Sequence, residues 1–270
     1  MFAVNEIPVV NCPTCLHRFA AVETNEAHTR QTFDDAYFTD GDDGYVDYLG
    51  EREDIVAVGK RYSKIMSDHI RPGSMLDIGA AAGFVMKGFA DAGWEVTGVE
   101  PNERMASLAN DMFGFNVHAG SLESIGLDSK FDLINMTQVV AHFHDLRAAF
   151  QRASQLTTNN GYWLIETWNH RSLTARAFGR MWHEYSPPAV TQWFSPDSLA
   201  KLCGQFGMVP VDQGRPRKSI KGDRARSLLA YTMGRVGMGF LNPFTRLIPP
   251  NVRIPYPSED IFWILFRSKP

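Results

Sequence analysis

Ser74-Met75-Leu76-Asp77-Ile78-Gly79-Ala80-Ala81-Ala82-Gly83-Phe84, followed by Trp94-Glu95-Val96-Thr97-Gly98-Val99-Glu100-Pro101, decides the fold. The segment reads as a buried strand, a glycine-containing turn, a helix, and a second strand that ends on an acid about 20 positions beyond the turn. Gly79 and Gly83 supply the positive φ or the missing Cβ that lets backbone approach a ligand closely. Glu100, at the tip of the second strand, can accept hydrogen bonds from both hydroxyls of a ribose. A bound adenosine-type cofactor is the expectation.

Two cofactors suit such a turn. A dinucleotide calls for glycines spaced G-x-G-x-x-G and sets its pyrophosphate on the helix N-terminus. Here Ala81 stands in place of a glycine, and Asp77 lies just before the turn. Its charge would repel a pyrophosphate and attract an ammonium group. S-adenosylmethionine, with a cationic amino-acid tail and no phosphate, fits better.

Leu76-Asp77-Ile78-Gly79-Ala80-Ala81-Ala82-Gly83 resembles the first motif of the class I S-adenosylmethionine-dependent methyltransferases. The likeness continues through Gly120-Ser121-Leu122-Glu123, where that family turns a loop around adenine. It extends to Phe131-Asp132-Leu133-Ile134-Asn135-Met136, similar to its fourth strand. The chain resembles the branch related to ubiquinone-biosynthesis O-methyltransferases and to methyltransferases that tailor glycans and small molecules. The resemblance implies an α/β fold with a doubly wound, mostly parallel seven-stranded sheet, an N-terminal arm, and an insertion before the last strand. It also implies a cofactor site made of Asp77, Gly79, Ala80, Ala81, Gly83, Glu100, Pro101, Ser121, Leu122, Asn135 and Met136, with S-adenosyl-L-homocysteine as product.

The chain has 270 residues, 44% of them hydrophobic, enough for a full core. A net charge of −3 gives no overall attraction to nucleic acid. No apolar run approaches the roughly 20 residues that cross a bilayer, and the first residues lack the pattern of a signal peptide, so a cytoplasmic protein is expected. Cys12-Pro13-Thr14-Cys15 with His17 has metal-ligand spacing, but a structural zinc takes four ligands and there is no second Cys-x-x-Cys. Relatives of the branch often carry two such pairs, so the segment reads as a remnant without metal.

Residues 1–50 read as a polar, turn-rich arm punctuated by Tyr37, Phe38, Tyr45 and Tyr48, with Asp40-Gly41-Asp42-Asp43-Gly44 its clearest loop. The aromatics either close over the cofactor or pack against the domain that occupies residues 51–270. That domain opens with an amphipathic helix from Glu51 to His69, where Ile55, Val58, Tyr62, Ile65 and Met66 recur at helical spacing. Strands are predicted at 74–79, 95–99, 116–118, 131–136 and 161–167, with helices at 83–92, 103–113 and 145–157 between them. Ser195-Pro196-Asp197 signals a capped helix. The insertion, 213–257, starts with Arg215, Arg217, Lys218, Lys221, Arg224 and Arg226 and continues into an apolar stretch. It admits an acidic or lipid-linked substrate, peripheral membrane contact through 226–241, or a lid or homodimer contact.

Methyl transfer needs alignment of acceptor and methyl group and, where necessary, removal of a proton. The acceptor, a small molecule, is expected against Gln138, His144, Trp168, Trp182 and Tyr185. His142 is the first choice of base, because histidine titrates near neutrality and its loop follows the fourth strand. His183, beside Glu184, is the second. Relatives carry glutamates where this chain has Ala141 and, in a Pro-Pro-Glu-His stretch, Ala189-Val190. Gln138 and Ala141 cannot supply the carboxylates of a hard cation, so no catalytic metal is expected. Oxygen is the preferred target, by analogy with the branch. The missing glutamates leave room for another reading, a partner protein of the same fold that binds the cofactor or its product without transferring the methyl group.

Overall fold

The computed structural model describes residues 2–39, 45, 47–216, 218–235, 239, 242–250, 252–256 and 258–269. Three short strands, β1 (Phe2–Val4), β2 (Ile7–Asn11) and β3 (Arg18–Ala20), precede helices α1 (Glu26–Thr32) and α2 (Arg52–Met66). The alternating core runs β4 (Ser74–Ile78), α3 (Phe84–Ala90), β5 (Glu95–Glu100), α4 (Glu103–Phe113), β6 (Asn116–Ala119), β7 (Phe131–Thr137), α5 (Leu146–Leu156) and β8 (Thr157–Trp168). Then come α6 (Leu173–Phe178), β9 (Gln192–Trp193), α7 (Pro196–Gly204), β10 (Met208–Gly214), β11 (Lys218–Lys221), α8 (Gly222–Arg235), α9 (Asn242–Thr245), β12 (Arg253–Tyr256) and β13 (Ile261–Ser268).

The central sheet has seven strands in the order β10-β13-β8-β7-β4-β5-β6. Pairings among β8, β7, β4, β5 and β6 are parallel, and β13 runs antiparallel between β10 and β8. Helices cover both faces, which is why these strands read as nearly continuous apolar runs. Alternation along each strand then sorts the side chains. Leu76, Ile78, Ile134, Met136, Trp163 and Ile165 share one buried cluster with Phe150 of α5 and Leu199 of α7. Met75, Leu133 and Leu164 share another with Tyr62 and Met66 of α2 and Phe89 of α3. Side-chain caps set the helix starts. Asn102 accepts the Met105 N–H, Asp145 accepts that of Ala148, and Ser195 forms a reciprocal capping box with Ser198.

The arm is more ordered than its polar composition predicts. β1, β2 and β3 form an antiparallel sheet that ends on β9, Arg18 pairing with Trp193 and Phe19 with Gln192. Strands of three to five residues, completed by a partner far along the chain, leave no periodic signal in the local sequence. The predicted Asp40 to Gly44 loop lies outside the described residues, as do Arg217 and most of 236–241.

The insertion contributes its own two-stranded sheet, β11 with β12. Arg226, one of the basic residues that open the insertion, donates Nε to the Ile248 carbonyl at 2.6 Å and Nη2 to that of Arg246 at 2.9 Å, which fastens α8 to the returning chain. Phe244 and Leu247 stand exposed beside it. No described helix is long and apolar enough to cross a membrane.

Candidate active site

The site is built at the carboxyl ends of β4, β5 and β7. β4 ends at Ile78, and the chain reverses through Gly79 at φ 70°, Ala81 at φ 45° and Gly83 at φ 75° before α3 begins. A Cβ on Gly79 would lie 3.0 Å from Val139 Cγ2, so the turn also needs glycine for space. Ala81 adopts a left-handed backbone that disfavours any Cβ, which is why a glycine is the commoner residue there. The turn is tied to the end of β5. Gly79 and Ala80 donate to the Val99 carbonyl at 2.9 and 3.1 Å, and Ala81 donates to Glu100 Oε2 at 2.8 Å.

Glu100 receives a second backbone donor, the N–H of Asn102, on Oε1 at 2.8 Å. Asp77 accepts from Asn135 Nδ2 at 2.6 Å, and Thr137 in turn donates to Asn135 Oδ1 at 2.9 Å. Both acids are only 3% exposed. Burial pushes the Glu100 carboxyl up to about 7 against the pull of its two backbone donors. Burial likewise takes Asp77 up to about 7, Asn135 opposing and the Glu100 charge adding to the rise. This is a donor-poor anionic cradle that fits a ligand bringing hydroxyl donors and a cation.

The aromatic arm closes that cradle. Tyr48 stacks on Phe84, with ring centres 5.2 Å apart, and packs edge-on against Phe38 and Tyr45. Phe38, Tyr48, Ala81, Ala82, Phe84 and Met105 form one buried cluster. Asn102 pins the arm by donating to the Phe33 carbonyl at 3.0 Å and to Asp35 at 3.1 Å. Of the two readings the sequence left open, the packing on the domain is what the cluster shows, and it lies over the turn at Ala81 and Ala82.

Other predicted cofactor residues take different places. Gly120 donates to the Glu100 carbonyl at 2.9 Å, which sets Ser121 beside the end of β5, and Pro101 follows Glu100 at the strand tip. Met136 and Leu122 point away from the site into the core cluster of Leu76 and Ile134, so only their backbones can border a ligand. The strand period of two puts Asn135 and Met136 on opposite faces.

The acceptor residues divide similarly. His142 gives Nδ1 to the Ala189 carbonyl at 2.8 Å and meets Phe33 edge-on at 5.1 Å. Burial, partly opposed by that carbonyl, lowers its pKa, so the ring is neutral with a lone pair on Nε2. Gln138 donates to Glu166 Oε1 at 2.7 Å, and Tyr62 donates its hydroxyl to the other oxygen of Glu166. This carboxylate hub is only 1% exposed, and its signal in the sequence is an acid inside the apolar run Tyr162-Trp163-Leu164-Ile165-Glu166. His144, expected against the acceptor, contacts Glu123 and Thr29, each at 3.2 Å, and so fastens the arm to the domain.

Trp182 and Tyr185, expected to touch the acceptor, belong to a buried cluster with Val9, Ala141, Val190 and Trp193. Trp182 donates its indole N–H to Asp260 at 3.1 Å, and Tyr185 accepts from Arg18 at 2.5 Å. Aromatic residues that the sequence places near a ligand are here the seam between the arm sheet and the domain. Ala141, at the position of one missing glutamate, sits in this seam, where a carboxylate would be buried. His183 pairs with Glu184 at 2.9 Å and meets Trp168 edge-on at 5.7 Å, farther along the same seam.

A family profile described as a methyltransferase domain matches residues 50–213. Among curated proteins, the ubiquinone biosynthesis O-methyltransferase of Rhodopseudomonas palustris (strain BisB5) is 28% identical over 151 residues, 52% of this chain and 59% of that protein. The chain thus matches little more than half the length of this curated relative. Among solved structures, the 1,6-didemethyltoxoflavin-N1-methyltransferase of Burkholderia thailandensis, bound to 1,6-didemethyltoxoflavin and S-adenosylhomocysteine, is 16% identical, with TM-score 0.57 over 98% of this chain and 99% of that one. The magnesium protoporphyrin IX methyltransferase of Synechocystis PCC 6803, with bound S-adenosylhomocysteine, is 13% identical, with TM-score 0.52 over 82% and 85%. At these identities the two structures speak for the fold alone.

Proposed function

Since the chain belongs to the methyltransferase-domain family, we propose that it transfers a methyl group from S-adenosylmethionine to a small-molecule acceptor. The observation that carries this reading is the pair of buried carboxylates, Asp77 and Glu100, on either side of the glycine turn. Glu100 would accept both ribose hydroxyls, and Asp77 would face the ammonium of the amino-acid tail. Ser121 and the backbone of Leu122 would border adenine. The cofactor supplies an electrophilic methyl group on a sulfonium.

The acceptor side supports oxygen as the nucleophile. His142 holds its Nδ1 proton against the Ala189 carbonyl, which leaves Nε2 to take the proton of an acceptor hydroxyl. The ring of Phe33 beside it makes one wall apolar, in keeping with a natural-product, sugar or isoprenoid-like acceptor rather than a strongly charged one. The curated relative named as an O-methyltransferase supports the same choice.

Titration with S-adenosylmethionine and S-adenosylhomocysteine, followed by a screen of hydroxylated acceptors, tests the reading. Binding of both nucleosides with turnover of one acceptor class is the expected result. Binding without turnover of any acceptor would leave a partner protein of the same fold, and no binding of either nucleoside would end the proposal. With the acceptor in hand, His142→Ala should lower kcat about 10²- to 10⁴-fold with cofactor affinity unchanged. Near-full turnover would remove the base.

A further inference from the structure

We propose that Cys12, Cys15 and His17 bind one Zn²⁺ ion, which fastens the loop between β2 and β3 to β9. The sequence offers two cysteines and a histidine without a second pair, and the fold brings all three together. One ligand atom from each of the three residues lies within 4.8 Å of the others, and Cys15 Sγ is 2.9 Å from His17 Nδ1. Tetrahedral zinc with sulfur at about 2.3 Å and nitrogen at about 2.0 Å sets its ligand atoms roughly 3.6 Å apart. Small rotations of side chains therefore make room for the ion.

The backbone already has the required shape. Cys12 donates its N–H to the His17 carbonyl at 2.8 Å, and Leu16 donates back to the Cys12 carbonyl at 3.0 Å. Leu16 takes φ 67°, a left-handed turn that brings His17 round to the cysteines. The imidazole is fixed from its far side. Nε2 meets Gln192 Oε1 at 3.0 Å, and the ring stacks on Phe194 at 5.5 Å. An amide oxygen accepts, so Nε2 carries the proton and Nδ1 presents a lone pair to the thiols, the arrangement that a metal-bound histidine requires.

Charge and softness choose the ion. Two thiolates and a neutral imidazole balance Zn²⁺, which suits a place where Cys15 and His17 are 3% and 8% exposed, and thiolate ligands favour zinc over magnesium or calcium. The three residues border a cavity of about 750 Å³ shared with Glu123, His144 and Gln192, so solvent can supply the fourth ligand. Gln192 belongs to β9, on the domain side, and its bond to His17 makes the ion a link between arm and domain. The site does not depend on methyl transfer.

Metal analysis of the purified chain after incubation with excess Zn²⁺ and desalting should find one zinc per chain. Reaction of the thiols with a disulfide reagent should accelerate at least tenfold when a chelator is added. Cys12→Ser and His17→Ala, each with an unchanged circular dichroism spectrum, should lose the metal, and Gln192→Ala should weaken binding roughly 10- to 100-fold. If a variant does not fold, Co²⁺ in the unaltered chain gives the same information through thiolate-to-cobalt absorption. Substoichiometric zinc, thiol reactivity indifferent to chelator, or a disulfide between Cys12 and Cys15 as the only product in the presence of zinc would each overturn the proposal.

Discussion

Glu100 ends β5 yet holds the turn that follows β4, its Oε2 accepting the Ala81 N–H at 2.8 Å. One side chain therefore shapes the cofactor turn and stands where the ribose would bind. Glu100→Ala leaves the N–H groups of Ala81 and Asn102 without their acceptor, at about 1–3 kcal/mol each where they stay buried. Glu100→Gln retains one acceptor oxygen and removes the charge. We expect titration calorimetry to find S-adenosylmethionine bound on the order of 100-fold more weakly in the glutamine variant and not measurably in the alanine variant. Unchanged affinity in either would move the ribose elsewhere.

The same carboxylates make the unliganded fold sensitive to pH. Asp77 and Glu100 have folded-state pKa values of about 7, raised by burial from ordinary values of 3.8 and 4.5. Between about pH 4 and 7 the folded chain thus holds protons that the unfolded chain has released, so their contribution is fully present at low pH and is lost as pH rises through 7. Thermal melts of the unliganded protein should fall by several degrees from pH 6 to pH 8, and Asp77→Asn with Glu100→Gln should flatten that fall. Stabilisation by S-adenosylmethionine should grow over the same interval, because its cation and hydroxyls favour the ionised acids. An identical pH slope in the double variant would contradict the assignment.

How far the sequence disclosed this arrangement depends on the range of each signal. The turn at Gly79 to Gly83, the acid at 100 and the caps at Asp145 and Ser195 are local patterns, and each predicted element from β4 to β8 lies within a few residues of where it forms. The arm sheet escaped because β3 finds β9 across most of the chain, and that pairing buries Trp182 and Tyr185 in a seam, although sequence order had set them near an acceptor. The Met136 side chain turns into the core for a simpler reason. Neighbouring residues on a strand face opposite ways, and Asn135 is the one turned to Asp77.

Tyr62 shows what long-range pairing adds. Its hydroxyl reaches Glu166 from α2, 104 residues earlier in the chain, and the same carboxylate also accepts from Gln138 at 2.7 Å. Tyr62→Phe removes this donor to Glu166 without changing the packing of a fully buried ring. We expect a loss of about 1–3 kcal/mol in denaturant unfolding, with the affinity for S-adenosylmethionine retained. A neutral effect on stability would mean that Glu166 finds a substitute donor and that the hub is not structural.

Tyr48 offers the test of the closing arm. It lies flat on Phe84, the first residue of α3, and is 5% exposed, near enough to Asp77 and Glu100 that their charges add to the rise of its own pKa, which is driven first by burial. Removing the ring in Tyr48→Ala should cost about 3 kcal/mol, as large-to-small changes at buried aromatics do, and should also let water reach the two carboxylates. Their pKa values should then fall towards the ordinary range, which would weaken the pH dependence of the melt even though both acids are still present. Tyr48→Phe keeps the stacked ring and should preserve both stability and pH dependence. Stopped-flow dissociation of S-adenosylhomocysteine separates a lid from simple packing, since a lid predicts faster release in the alanine variant and not in the phenylalanine one. Equal release rates in all three proteins would mean that the arm stabilises the fold without gating the site.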